Sequence, residues 1–202
     1  MRFERLVSFL GRTAPFWILL VLFLLIEMMF FSLHPAFTEA TVTEAFPDGV
    51  KAPDMAVAYT ADYIYTVLVL VKERASDLYN RFQLVDLLFP LVYSCWFSSL
   101  LHRIYRRKYA AFSSYRWIVA VPFVAAGFDY LENLGFRIAL IFLPMENPLL
   151  GWALSVFSTM KFLCLLLAVL SVFTGLGYFI KGRRDSHFAD KRDKREVGDG
   201  EE

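Results

Sequence analysis

The sequence has little of the side-chain chemistry on which disulfide-rich domains and metal sites depend. It contains only two cysteines and three histidines. Cys95 and Cys164 both fall inside apolar runs, so we interpret them as buried thiols. A disulfide framework needs more cysteines, and neither a C-x-x-C motif nor a group of histidines supports a zinc site. We expect no metal, and nothing in the composition points to a cofactor or to nucleic acid.

Motifs of known enzymes are also scarce. No G-x-S-x-G turn accompanies the serines, and His34, His102 and His187 lie at the ends of the apolar runs or beyond them. A serine hydrolase needs a base beside its nucleophile, so this class is disfavoured. A dyad of Ser158 and Lys161 stays open, although such a serine more often bonds a backbone carbonyl. The sequence names no reaction and leaves open whether the chain is an enzyme.

Apolar residues, by contrast, are in excess. They make up 57% of the chain, and 21 of them are phenylalanine, whereas soluble domains are typically about 45–50% apolar. A membrane span needs about 20 mostly apolar residues. We predict an all-α fold, a four-helix transmembrane bundle with an extracytoplasmic interfacial helix. Its parts are an N-terminal segment 1–14, a membrane domain 15–180 with spans 15–33, 82–101, 117–143 and 150–180 and an outer loop 34–81, and a tail 181–202.

The first span has an alternative interpretation as a signal peptide, because Arg2, Arg5 and Arg12 precede it. Its apolar run is longer than the usual ~7–15 residues, and no clear A-x-A site follows. We therefore predict that it is a retained membrane anchor.

Lysine and arginine are concentrated in segments that an even number of spans would place on one side. These segments are the N-terminus, the loop 102–116 and the tail 181–202, whereas the loop 34–81 and the turn 144–148 hold mostly acidic charge. By the positive-inside rule both termini are cytoplasmic. We expect an integral, multi-pass protein, most simply in the cell membrane.

The outer loop and the tail differ in character. Residues 34–54 are rich in turn formers and predict irregular structure. Residues 55–82 look helical, but their apolar centre, Tyr63 to Val71, is too short to span, so we predict a helix lying in the outer interface. The tail mixes both charge signs with almost no apolar residues and is expected to be disordered.

Charged residues inside the spans converge on one layer. Asp129 lies about 18 Å along the third span from its cytoplasmic end, and Lys161 lies about 16 Å along the fourth from its outer end. A charge in hydrocarbon costs at least about 2.5–3.5 kcal/mol, so such groups should face the bundle interior and find partners. We predict Lys161 with Asp129 as the first pair and with Glu132 as the second. The other members of the predicted polar or ligand-binding cluster are Glu27, Asp86, Tyr93, Asn133 and Arg137.

Helical periodicity supports this cluster. Small and polar residues recur at three- and four-residue intervals along the third span, and one face of the second carries Asp86, Pro90 and Tyr93. Small residues allow helices to approach closely. The stripe of the third span comprises Pro122, Ala125, Ala126, Asp129, Glu132 and Asn133.

A resemblance follows from these motifs. The segments "DLLFPLVY" (86–93) and "PFVAAGFDYLEN" (122–133), followed by Lys161, resemble a set of uncharacterised four-span membrane proteins with the pattern DxxFPxxY, PxxxxxxDxxEN and K. The similarity covers residues 59–173. It implies the four-span fold and no activity.

Several functions fit a carboxylate-rich cluster in a membrane. A structural or ligand-binding role, with lipids or a hydrophobic or cationic amphiphile as partner, is the main hypothesis. A small proton- or ion-coupled transporter is an alternative, and since no inverted repeat is visible it would have to form a homo-oligomer. A lipid-modifying enzyme is another. "ENLGFR" is similar to the EExxxR motif of CAAX-type proteases, but Asn133 replaces the second glutamate and the spans carry no histidine.

Overall fold

The computed structural model describes residues 2–41, 56–109 and 115–198, with side chains for residues 3, 5–33, 56–106 and 116–177. Every element in these ranges is an α-helix. The helices, in chain order, are α1 (Arg2–Leu10), α2 (Thr13–Thr41), α3 (Ala61–Arg74), α4 (Ser76–Tyr109), α5 (Tyr115–Phe142) and α6 (Pro148–Gly198). The all-α prediction is confirmed for the described part of the chain.

Two helices that approach the candidate site begin at side-chain caps. The Thr60 hydroxyl accepts a hydrogen bond from the Tyr63 N–H at 3.2 Å and so starts α3. The Asn147 side-chain oxygen accepts from the N–H of Leu149 at 3.0 Å and of Leu150 at 3.3 Å. Pro148, which has no N–H to satisfy, occupies the first position of α6. These local signals fix where α3 and α6 start.

Three of the described helices are long and apolar enough to cross a membrane. Their qualifying segments are Thr13–Leu33 of α2, Ser76–Arg106 of α4 and Pro148–Gly177 of α6. Such lengths and compositions indicate a membrane-embedded protein. α5 is of similar length, with 28 residues, but it carries Asp129, Glu132 and Arg137.

The helices pack around α5, which runs along both α4 and α6, while α2 packs on α4. Ala125 and Ala126 of α5 lie in one buried cluster with Tyr93 of α4. Small side chains at these positions bring the helix backbones close together. The predicted stripe of α5 therefore faces the interior of the helix assembly.

α3 lies within the segment 55–82 that was predicted to form a helix between the first two spans, and its apolar face is covered by protein. Ile64, Val67 and Leu68 are all 0% exposed, and α3 contacts α2, α5 and α6. At 14 residues it is about 21 Å long, too short to cross about 30 Å of hydrocarbon. Its apolar centre is explained by packing on neighbouring helices, which a single sequence does not reveal.

Helix ends also differ from the sequence prediction. α2 continues to Thr41, past the predicted end at Leu33, and residues 42–54 of the predicted irregular segment lie outside the described residues. α6 continues to Gly198, so residues 181–198 are helical where disorder was predicted. No proline interrupts the sequence from 149 to 198, and opposite charges recur at four-residue spacing, as in Asp190 and Lys194. Opposite charges at this spacing favour a helix in a sequence.

Candidate functional site

A buried ionic cluster joins α5 to α6. Lys161 of α6 places its Nζ 2.6 Å from Oε2 of Glu132 and 3.3 Å from Oδ1 of Asp129. The side chains are nearly inaccessible, at 5% exposure for Lys161, 4% for Asp129 and 0% for Glu132. Both predicted pairings are confirmed, and Glu132, predicted as the second partner, makes the shorter contact.

Two tyrosines complete the coordination of the carboxylates. The Tyr93 hydroxyl of α4 donates to Oδ2 of Asp129 at 3.2 Å. The Tyr59 hydroxyl, just before α3, donates to Oε1 of Glu132 at 3.3 Å. Each carboxylate thus receives one tyrosine and the shared ammonium on opposite oxygens. Lys161 thereby joins α6 to α5, and the two tyrosines connect this pair of helices to α4 and to the segment before α3.

The spacing of the acids explains why one lysine reaches both. Asp129 and Glu132 are three residues apart on α5, so they lie one above the other on the same helix face. Lys161 approaches this face from α6, the neighbour with which α5 packs. The flexible four-carbon stem of lysine lets the ammonium sit between the two carboxylates.

A second set of polar contacts ties α6 to the segment before α3. The Tyr59 N–H donates to Ser155 Oγ at 3.1 Å, and the Thr159 hydroxyl donates to the carbonyl of Val57 at 3.0 Å. Ser158 donates its hydroxyl to the carbonyl of Ala56. Ser158 therefore bonds backbone, and Lys161 is engaged by carboxylates, so the contacts do not form the Ser–Lys dyad that the spacing left open.

The electrostatics of the cluster are those of a closed site. Two carboxylates and one ammonium carry a formal charge of −1, and their side chains are nearly inaccessible to solvent. Taking such groups out of water costs on the order of several kcal/mol per ion, which close pairing and hydrogen bonds must offset. The arrangement can hold helices in register, and one additional proton would neutralise it. Among the described residues, no group of three His, Cys, Asp or Glu side chains is arranged to hold a metal ion.

Asp86 is buried on the face of α4 that also carries Tyr93. It is 3% exposed, and Pro90 between them is buried as well. The spacing of seven residues puts Asp86 about two turns from Tyr93. The predicted face of the second span is thus directed inward.

Glu27 does not join the cluster. α2 contacts α4 through aromatic residues that recur every seven positions, and Phe16 and Phe30 among them are buried. Phe23 stacks on Trp96 of α4 with ring centroids 5.0 Å apart. Glu27 lies beside this stripe and is exposed. Depth alone therefore predicted its place wrongly, because rotation about the axis of α2 decides which side chains point inward.

Asn133 and Arg137 lie in a groove between α4 and α5 instead of in the ionic cluster. Arg137 donates from Nη1 to Oδ1 of Asn80 at 2.9 Å, and its guanidinium lies 5.9 Å from the centre of the Tyr79 ring. The groove has a volume of about 420 Å³ and is lined by polar residues at one end and leucines along its length. Its lining is Asn80, Gln83, Leu84, Leu87, Tyr130, Asn133, Leu134 and Arg137.

Tyr59 is the member of the cluster that the sequence does not reveal. It lies 73 residues before Glu132 in the chain, just ahead of the first residue of α3. The nearby cap at Thr60 indicates a helix start and says nothing of a long-range partner. By contrast, Tyr93 was predicted because its helical phase matches that of Asp86.

Comparison of the chain with protein-family models, with curated proteins and with solved structures finds no match. The resemblance to four-span proteins described above therefore stays a prediction, and the candidate site is interpreted from its own geometry.

Proposed function

We propose that this chain is a four-span integral membrane protein in which the buried ionic cluster fixes the helices around a lateral groove for a lipid-like ligand. The observation that carries this proposal is the contact of Lys161 with both Asp129 and Glu132. Burying a lysine between two acids has a large desolvation cost. Only a helix arrangement that brings these three side chains into contact offsets that cost. We therefore assign the cluster a structural role.

α5 is the proposed fourth span. With 28 residues it is about 42 Å long, enough to cross the hydrocarbon. Asp129 and Glu132 are directed into the helix assembly, and Arg137 lies near the end of the helix beside Asn80. Four spans would put both termini on the cytoplasmic side and the α3 end of the molecule on the outer side, as the basic residues predict.

The groove between α4 and α5 supports the binding role. Arg137, Asn80 and Gln83 give it a polar end, while Leu84 and Leu87 continue it along the helices. This gradient suits an amphiphile whose headgroup accepts hydrogen bonds and whose chain follows the leucines. A cationic ligand is less favoured, because Lys161 already occupies the carboxylates.

Proton or ion transport is the second candidate. Two carboxylates share one ammonium, so the cluster differs by one proton from neutrality. Carboxylates inside a membrane often mark proton routes. The structural role is preferred because Tyr59 and Tyr93 hold the acids in a fully buried network.

The groove is tested by filling it. Leu87→Trp places a large ring inside the groove, and we expect it to displace an amphiphile that co-purifies with the parent protein. Leu91→Trp is the matched control, since Leu91 is exposed on the same helix and does not line the groove. Mass spectrometry of extracted lipid measures the bound species after detergent exchange. Retention of the same species in equal amount by Leu87→Trp and the parent would refute the binding role.

A further inference from the structure

A larger cavity lies at the other end of the helix assembly, where α1 turns into α2. It has a volume of about 740 Å³ and is built from the α1–α2 junction, the last turns of α4 and the C-terminal part of the apolar segment of α6. Three arginines, Arg12, Arg103 and Arg106, contribute to its wall. This cavity is separate from the ionic cluster and from the groove, with which it shares no lining residue.

Arg103 is held in place by the junction of α1 and α2. Its Nε donates to the carbonyl of Gly11 at 2.9 Å, and its guanidinium lies 4.3 Å from the centre of the Phe16 ring. A guanidinium carries five N–H donors in a fixed fork. The contact through Nε uses one of them, so the rigidly placed fork has two NH₂ groups for another acceptor.

The charge in the cavity is of one sign. Among the described residues, none that lines it is acidic, whereas three are arginine. Thr13 adds a hydroxyl at the start of α2. Leu100 and Leu176 provide an apolar wall. Three guanidinium groups around one space repel each other, and an anion bound between them removes that repulsion.

We propose that this cavity binds a phosphate group, with phosphatidic acid or a related anionic lipid as its source. Arginine matches phosphate oxygens in a bidentate geometry, and such charge-assisted hydrogen bonds are among the strongest in proteins. The cavity lies at the end of the Ser76–Arg106 apolar segment, at the level of lipid headgroups if α4 crosses the membrane. The apolar wall then faces the glycerol and the first carbons of the lipid. A phosphate site as such does not depend on the function proposed above.

The amphipathic helix α1 supports a lipid source. Val7 is buried against Leu101 and Ala168, while Phe3, Leu6 and Phe9 are 40–51% exposed. An apolar face beside a cluster of arginines is the usual arrangement of a helix at the surface of an anionic membrane. A lipid entering the cavity would thus arrive from the leaflet that α1 contacts.

The experiment is a titration of the purified full-length protein in neutral detergent, followed by native mass spectrometry. The probes are short-chain phosphatidic acid, short-chain phosphatidylcholine and inorganic phosphate. We expect phosphatidic acid to bind at least about tenfold more tightly than phosphatidylcholine, whose choline masks the phosphate. Arg12→Gln with Arg106→Gln should weaken phosphatidic acid binding by at least about tenfold, because each charge-assisted hydrogen bond contributes about this factor.

The matched control for the single variant Arg106→Gln is Arg5→Gln, which also removes one positive charge, at an exposed residue of α1 that does not line the cavity. It should change binding by less than about twofold. Gel filtration checks folding, and the single variant Arg106→Gln serves if the double variant does not fold. The double variant Arg12→Lys with Arg106→Lys keeps both positive charges but loses the planar guanidinium groups. It should bind phosphatidic acid with intermediate affinity.

The three probes also distinguish a lipid headgroup from free phosphate as the source of the bound phosphate group. Displacement of the lipid only by a large excess of inorganic phosphate supports the lipid source. Equal affinity for inorganic phosphate and phosphatidic acid in the parent, lost in the glutamine variants, supports the phosphate site and overturns the lipid source. Equal binding of every probe by the parent, the Arg5→Gln variant and the double glutamine variant overturns the whole proposal.

Discussion

Replacing Lys161 by methionine tests the cluster most directly. Methionine has a similar length and no charge, so the substitution leaves Asp129 and Glu132 buried three residues apart on α5 without their shared ammonium. Removing one partner of a buried ion pair typically costs about 3–5 kcal/mol. Two carboxylates lose their counter-charge here, so we expect Lys161→Met to lower the free energy of unfolding by at least about 3 kcal/mol.

The assay is denaturant unfolding of the purified protein in mixed micelles, followed by tryptophan fluorescence and circular dichroism. The control variant is Lys72→Met, since Lys72 is exposed on α3 and donates to the carbonyl of Leu143 at 3.2 Å. Because an exposed charge contributes little, this control should cost less than about 1 kcal/mol.

A neutral triple variant separates charge from packing. Asp129→Asn, Glu132→Gln and Lys161→Met together remove all charge and keep side chains that can accept from Tyr59 and Tyr93. Since replacing a whole buried ionic network is often close to neutral, the triple variant should regain most of the lost stability. If Lys161→Met were as stable as Lys72→Met, or if the triple variant were less stable than Lys161→Met, the reasoning would be refuted.

Two further substitutions test the packing. Gly151→Ala should destabilise the protein by about 1–3 kcal/mol, because the new Cβ would lie 2.6 Å from Cβ and 2.9 Å from Cα of Ala61. Gly127→Ala is its control, with nothing within 4 Å, and thermal unfolding should show it at least as stable as the parent; equal effects of the two would contradict the α3–α6 contact. Glu27→Leu should leave the free energy of unfolding unchanged or raise it, because Glu27 is exposed on α2 and a charge that faces hydrocarbon is unfavourable. A loss as large as that of Lys161→Met would place Glu27 in the buried network after all.

The pairing of Lys161 with Asp129 and Glu132 was predictable because a charged side chain in an apolar helix is energetically tolerated at few positions, chiefly those that face a partner. Depth along a helix follows from residue number, and charges at a common depth must find one another or face water. The inward face of α5 was predictable for a similar reason, since Ala125, Ala126 and Asp129 share a helical phase. These inferences need only periodicity and the energetic cost of burying charge.

The remaining parts of the molecule depend on distances between segments far apart in the chain. No local sequence pattern specifies that Glu27 points away from α4. None specifies the hydrogen bond between Tyr59 and Glu132 either. The basic cavity is another example, since Arg12 and Arg103 lie about 90 residues apart and each looks like an ordinary residue flanking a span.

The sequence by itself determined that the chain is helical and strongly apolar, and that the few charges within its apolar segments require partners. It could do so because helix periodicity and the transfer cost of a side chain are local properties of residues. The tertiary structure alone decided which helices adjoin, how each is rotated about its axis, and that α3 buries its apolar face against protein. Those features depend on how side chains from distant segments fill a shared volume, which no short stretch of sequence specifies.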